Sequence, residues 1–159
     1  MNRRRSFFMW TGEPGRSVSI TGLILVLILS TVCYQEVAGF EFLTWDDPQL
    51  ITENQLVLNE PGVQNTLKIF SSTVIAHYQP LTTFSMNLVN WLFGTDPGAF
   101  HSFSLLLHLV NIALIYLLVS RFFPDSILPF FVVAFFAVHP MRVESVAWVT
   151  EQKGLLSSL

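Results

Sequence analysis

The chain has few charged residues, since Asp, Glu, Lys and Arg make up only 12% of its 159 positions. Hydrophobic residues make up 52%, and the mean hydropathy is positive. This composition excludes an ordinary soluble globular domain, and it favours a membrane protein. The net charge of −3 argues against nucleic-acid binding. The single cysteine, Cys33, excludes an intrachain disulfide.

The first long apolar run, residues 18–38, predicts a transmembrane helix, because about 20 helical residues cross a hydrocarbon core of about 30 Å. The preceding tail, residues 1–17, carries four arginines and predicts a cytoplasmic amino terminus. The chain would then emerge near Gly39 on the external face of a bacterial inner membrane or the lumenal face of the endoplasmic reticulum. A cleavable signal peptide is the alternative, but its apolar run is usually shorter, roughly 7 to 15 residues.

A second transmembrane helix is predicted over residues 97–123. Asp96 and Pro97 can supply a side-chain N-cap and a proline at the first helical position. The polar residues of this segment recur at helical spacing on one face: His101, Ser104, His108 and Asn111. This polar stripe predicts hydrogen bonds between helices, with the wall of a polar cavity as the alternative. We expect no metal at the two histidines, which lie two turns apart without an adjacent carboxylate or cysteine.

A third apolar segment, residues 126–138, is short for a membrane span. Either its helix begins earlier, or His139 and Pro140 lie below the membrane surface in a cavity lined by protein, which is the preferred interpretation. Pro140 can start a new helix that carries an external polar motif over residues 139–153. Residues 154–159 then predict the start of a fourth transmembrane helix.

The external loop between the first two spans, residues 39–96, is long enough to indicate a functional or separately folded segment. Two amphipathic helices are predicted within it, over residues 59–75 and 80–93, and Gly94 is expected to end the second. Both helices could lie in the membrane interface, and packing over the bundle is the alternative. Their apolar residues at helical spacing are Val63, Leu67, Phe70 and Val74, then Leu81, Phe84, Leu88 and Trp91.

Two polar clusters are predicted to face the same side of the membrane and to form one site. The first is the segment Trp45-Asp46-Asp47-Pro48. A carboxylate partly removed from water in a cleft can act as a general base, whereas an Asp-Pro turn is the purely structural alternative. The residues themselves do not choose between Asp46 and Asp47 as the base.

The second cluster, His139 to Trp148, places histidine, arginine and glutamate beside apolar segments, where such side chains are costly. If Pro140 starts one continuous helix, Arg142 and Lys153 share a face that suits a phosphate group. The opposite face would carry Glu144, Trp148 and Glu151. Contact with lipid headgroups and an Arg-Glu pair are the alternative interpretations.

Several motifs together carry a family resemblance over residues 40–159. They are Phe42-Leu-Thr-Trp-Asp-Asp, Tyr78-Gln-Pro-Leu-Thr, Leu92-Phe-Gly, Leu105-Leu-Leu-His-Leu-Val-Asn and the segment from Phe136 to Lys153. In this order they resemble the amino-terminal membrane region of bacterial and animal transmembrane tetratricopeptide-repeat proteins. The animal members of that group are protein O-mannosyltransferases of the C-type membrane glycosyltransferase fold.

The resemblance implies an all-α, multi-span membrane bundle, here incomplete, with interfacial helices in its long external loop. It also implies transfer of a sugar, mannose by analogy, from a polyprenyl- or dolichyl-phosphate carrier to a hydroxyl of an acceptor protein or to another acceptor. The expected partners are this carrier, the acceptor protein and membrane lipids. The expected catalytic residues are Asp46, Asp47 and Glu144. The expected substrate- and phosphate-binding residues are His139, Arg142, Trp148 and Lys153.

The chain is expected to be the amino-terminal part of such an enzyme and to be inactive by itself. The cofactor is left unassigned: a divalent metal is compatible with the chemistry, but no residue pattern indicates one. The alternative function is a non-enzymatic membrane binding or assembly module followed by tetratricopeptide repeats.

Overall fold

The computed structural model describes residues 20–124 and 126–159, so the amino-terminal tail lies outside the described residues. The regular secondary structure of these residues is helical, apart from an isolated bridge between Val74 and His77. Helix α1, Ile20–Tyr34, continues as a 3-10 turn, Gln35–Gly39, and the 20 residues together are long and apolar enough to cross a membrane. The prediction of this span is confirmed in its length and composition, from Ile20 onward.

Three further helices lie in the loop, which also contains a π-helical turn at Pro48–Thr52. They are α2, Gln55–Leu58, α3, Val63–Ser71, and α4, Pro80–Phe93. Helix α4 has the predicted bounds, and it ends at Gly94, whose φ of 70° suits glycine and whose N–H donates to the carbonyl of Asn90 at 2.8 Å.

The apolar faces of α3 and α4 are turned away from the described bundle. Val63 and Leu67 on α3 are exposed, as are Leu81 and Trp91 on α4. The inner face of α4 is instead largely polar, and it buries Thr82, Thr83, Ser85, Met86, Asn87 and Val89. The outward faces are therefore not used for packing over this part of the chain, and their place in the membrane interface stays a prediction.

Helix α5, Pro97–Phe122, is the second helix long enough to cross a membrane, and it ends one residue before the predicted boundary. Asp96 caps it, but the Asp96 side chain accepts no hydrogen bond from a described N–H, so the predicted side-chain cap is wrong. The start of α5 is instead held by packing. A Cβ at Gly98 would lie 2.7 Å from the Ala38 carbonyl oxygen, so only glycine allows this close approach.

Helices α6, Leu128–Val138, and α7, Met141–Ala147, form a pair bent by 62° at His139-Pro140. Because α6 starts at Leu128, the alternative in which it begins earlier is wrong. Helices α1, α5 and α6 pack on one another around Val26, Ile112 and Val133, which are all buried.

The prediction of one continuous helix from Pro140 to Lys153 is wrong. The backbone at Trp148 is extended, with φ −101° and ψ 113°, and a 3-10 turn, Val149–Glu151, follows it. Helix α8, Gln152–Ser157, then begins in the region predicted to open a fourth span. The break places Val149 in the core below the loop and ends the helical relation between Arg142 and Lys153.

Candidate functional site

A cleft of about 560 Å³ lies where three parts of the chain meet. The segment after α1, residues 39–43, forms one wall, helix α7 forms another, and His101 from the first turns of α5 completes it. Aromatic rings and carboxylates share the lining: Phe40, Glu41, Phe42, Glu144 and Trp148. Two of the predicted site residues, Glu144 and Trp148, therefore belong to one cleft.

Asp47 joins the two polar clusters directly. Its carboxylate is 1% exposed, and it accepts hydrogen bonds from the Leu43 backbone N–H at 2.7 Å and from the Trp148 indole N–H at 3.3 Å. Trp45 packs edge-on against Trp148, with the ring centroids 6.2 Å apart. The acidic loop and the α7 region, about 100 residues apart in the chain, are thus in contact.

Burial determines the acidity of Asp47. The pKa of its carboxyl is raised above the ordinary value, because removal from water disfavours the charged form. The hydrogen bonds from Leu43 and Trp148 oppose this effect by stabilising the carboxylate, and they do not fully offset it. Asp47 is therefore a desolvated carboxyl group whose position is fixed by two hydrogen bonds.

Asp46 differs from its neighbour in access. Its side chain is exposed, whereas that of Asp47 is buried. A group that takes a proton from a large substrate must be reached by that substrate. Of the adjacent pair, Asp46 is open to a substrate, whereas Asp47 is buried and lines neither this cleft nor the one between α6 and α7.

The predicted phosphate-binding residues do not all line this cleft. His139 and Arg142 line a second one, of about 530 Å³, between α6 and α7. The Arg142 guanidinium lies over the Phe136 ring, 4.2 Å from its centroid. The His139 ring contacts Phe135, with 4.7 Å between centroids, and its Nδ1 accepts a hydrogen bond from a backbone N–H at 3.2 Å.

Lys153 lies apart from both groups. It pairs with Glu151 at 2.9 Å, and its side chain is 53% exposed. This is the one ion pair among residues 20–124 and 126–159, so the alternative of an Arg-Glu pair is not seen there. The structure therefore does not bring Lys153 and Arg142 together on one surface.

The polar stripe on α5 divides into two parts. The three members nearer the middle of α5 make hydrogen bonds to residues of α6 and α8, as the packing interpretation predicts. These bonds join Gln152 Nε2 to Ser104 Oγ at 3.1 Å, His108 Nε2 to the Ala137 carbonyl at 3.1 Å, and Asn111 Nδ2 to the Leu155 carbonyl at 2.9 Å.

His101 is the exception, and it lines the cleft as the cavity interpretation predicts. It was not among the expected site residues. Its place at the outermost position of the stripe, one turn inside α5, is the sequence signal that could have identified it. That position faces the chain as it leaves α1, since Phe40 contacts the His101 ring with 5.9 Å between centroids.

No set of three or more His, Cys, Asp or Glu side chains is grouped as metal ligands within the described part of the chain. The cofactor therefore stays unassigned.

Comparison with known proteins finds relatives over most of the chain. A protein O-mannosyl-transferase of Caenorhabditis elegans is 32% identical over 92% of this chain. Protein O-mannosyl-transferase TMTC1 of Mus musculus is 32% identical over 82%, and TMTC3 of Homo sapiens is 26% identical over 90%. Over most of its length the chain is therefore similar to part of these protein O-mannosyl-transferases.

The chain spans 23% of the length of the nematode relative, 15% of the mouse one and 16% of the human one. No protein-family model and no solved structure matches it.

Proposed function

We propose that this chain forms part of a membrane glycosyltransferase. The enzyme would transfer a sugar, mannose by analogy with the relatives, from a polyprenyl- or dolichyl-phosphate carrier to a hydroxyl of a protein. The observation that carries this proposal is the contact between Asp47 and Trp148, which holds the acidic loop at the rim of a cleft lined by aromatic rings and carboxylates.

The proposed base is Asp46. It takes the proton of the acceptor hydroxyl as the hydroxyl oxygen attacks the anomeric carbon of the sugar. The bond from that carbon to the carrier phosphate breaks, and its electron pair leaves with the lipid phosphate. Asp47 is the positioning residue, because the hydrogen bonds from Leu43 and Trp148 fix the loop that presents Asp46.

The proposed site for the carrier phosphate is the second cleft. Arg142 can neutralise the charge of the departing phosphate, and His139 lies in the same lining. The neighbouring Phe135 and Val132 offer apolar surface to the lipid chain. Lys153 is a weaker candidate for this role, because it is exposed and already paired with Glu151.

Glu144 suits the sugar or acceptor side rather than the phosphate side. Its carboxylate lines the first cleft, where it would repel a phosphate and accept hydrogen bonds from hydroxyl groups. The proposed topology places the amino terminus in the cytoplasm and both clefts at the external or lumenal surface. The exposed apolar faces of α3 and α4 would then lie against membrane lipids.

The test measures transfer of mannose from radiolabelled polyprenyl-phosphate mannose and dolichyl-phosphate mannose. The assay uses membranes of cells that express the natural open reading frame. We expect Asp46→Asn to lower kcat by about 100-fold or more, the scale of general-base catalysis. Asp47→Asn is the matched control, because the amide oxygen can still accept one of the two hydrogen bonds. It should lower kcat by a smaller factor.

Wild-type activity in Asp46→Asn at equal expression would reject Asp46 as the base. A wild-type protein that is silent with every carrier and acceptor would favour the alternative of a membrane binding or assembly module.

A further inference from the structure

His101 is a buried polar side chain without a well-formed hydrogen bond. It is 2% exposed, and neither ring nitrogen has a partner of good geometry within the described part of the chain. One nitrogen lies near the backbone of Glu41, and the other has no hydrogen-bond partner among the described residues. Because buried polar groups in folded proteins are nearly always satisfied, such a group requires an explanation.

The location of His101 supplies one. The ring lines the first cleft together with Glu144 and Trp148, and it interacts electrostatically with Asp47. The deeper histidine of the same stripe, His108, is also buried, but its Nε2 is hydrogen-bonded to the Ala137 carbonyl. The Nδ1 of His108 is also without a partner, so the two histidines differ in that neither nitrogen of His101, the one beside the cleft, makes a well-formed hydrogen bond.

The chemistry of the cleft selects the kind of ligand. Its charged lining consists of the carboxylates Glu41 and Glu144, and no lysine or arginine from the described residues lines it. An anionic ligand would be repelled there. A hydroxyl group can both donate to and accept from a ring nitrogen, and the aromatic walls suit the apolar face of a sugar ring.

We propose that His101 is a ligand-contacting residue whose free ring nitrogen hydrogen-bonds to a hydroxyl group bound in this cleft. The inference rests on the proposed function, and it extends that function to a residue on α5. The hydroxyl belongs either to the transferred sugar or to the acceptor protein.

The experiment measures kcat and KM for the carrier-linked sugar and for an acceptor peptide, each varied at saturating levels of the other. His101→Phe keeps a ring and removes both nitrogens, and it should raise one KM by about 10-fold, which corresponds to one lost hydrogen bond. A higher KM for the carrier assigns the hydroxyl to the sugar, and a higher KM for the peptide assigns it to the acceptor. His101→Asn or His101→Gln should restore part of the affinity.

His108→Phe is the matched control, because it removes a histidine that bonds to the protein itself. It should lower the thermal midpoint of unfolding and leave both KM values unchanged. If His101→Phe does the same, or changes neither KM, His101 is a structural residue and the inference is wrong.

A binding measurement separates this inference from the proposed function. Quenching of tryptophan fluorescence by methyl mannoside and by the acceptor peptide reports ligand in the cleft without turnover, since Trp148 lines it. Weaker binding to His101→Phe in a protein without transferase activity would uphold the inference and reject the proposed function. Loss of activity in Asp46→Asn, together with wild-type binding and KM in His101→Phe, would uphold the proposed function and reject the inference about His101.

Discussion

The cleft end of helix α5 and its middle use the same kinds of side chain in opposite ways. In the middle, Ser104, His108 and Asn111 are buried and each is hydrogen-bonded to a neighbouring part of the chain. At the cleft end, His101 is equally buried and lacks such a bond. The type of a buried polar residue therefore does not decide whether it is hydrogen-bonded within the protein; the neighbouring elements decide it.

The physical reason is the supply of partners. Helices α6 and α8 bring backbone carbonyls and the Gln152 amide against the middle of α5. A buried polar group left without any partner costs about 1 to 3 kcal/mol, and each of these three side chains has at least one hydrogen bond. The segment after α1 offers His101 mainly the Phe40 ring and the Glu41 backbone.

The largest effect on stability is expected for Gln152→Leu in the packed middle. Gln152 is fully buried, and its Nε2 donates to the Phe100 carbonyl at 3.3 Å and to Ser104. The variant removes both of these buried hydrogen bonds, and it should lower the free energy of unfolding by about 2 kcal/mol. Thermal unfolding of the purified protein in detergent measures this. If Gln152→Leu changes the KM for the carrier or the acceptor and leaves stability unchanged, the middle of α5 does not have the purely structural role given to it here.

A smaller and pH-dependent effect is expected for Trp148→Phe at the cleft. The variant loses the indole N–H that stabilises the Asp47 carboxylate, so the already raised pKa of Asp47 should rise further. A folded-state pKa above the unfolded value gives stability that is complete at low pH and lost as the pH rises through the folded pKa. The free energy of unfolding of the variant should therefore be lower than that of the wild type by about 1 kcal/mol at neutral pH, and the difference should be smaller at pH ~4.

Thermal midpoints at the two pH values check this, with Trp148→Phe in an Asp47→Asn background as the control. The pH dependence should disappear in that background, because the titrating carboxyl is gone. An equal loss of stability at both pH values would mean that the Asp47 contact does not link the two clusters energetically.

The smallest effect is expected for Lys153→Gln, outside both regions. Lys153 is half exposed, and an exposed ion pair contributes less than about 0.5 kcal/mol. The thermal midpoint should hardly change, and the KM for the lipid carrier should rise less than in Arg142→Gln. A larger rise in KM than that of Arg142→Gln would return Lys153 to the phosphate site.

Much of the fold could be predicted from local patterns. The apolar run after Val18, the Pro97 start of α5 and the Gly94 end of α4 each depend on neighbouring residues and on simple helix chemistry. The break at Trp148 could not be found this way, because residues 140–153 carry no glycine or proline after Pro140 to mark it. It accompanies contacts that are distant in sequence, those of Trp148 with Asp47 and of Val149 with the core under the loop.

The candidate site divides in the same manner. The sequence alone determined the chemical types, two adjacent aspartates and a later arginine, glutamate and tryptophan, because costly polar residues beside apolar spans stand out in a membrane protein. Only the tertiary structure decided that Asp47 is held and Asp46 exposed, that Arg142 lies in a separate cleft, and that His101 lines the first one. The exposure of a side chain and its hydrogen-bond partners depend on contacts between elements about 100 residues apart in the chain, and a local sequence pattern does not predict such contacts.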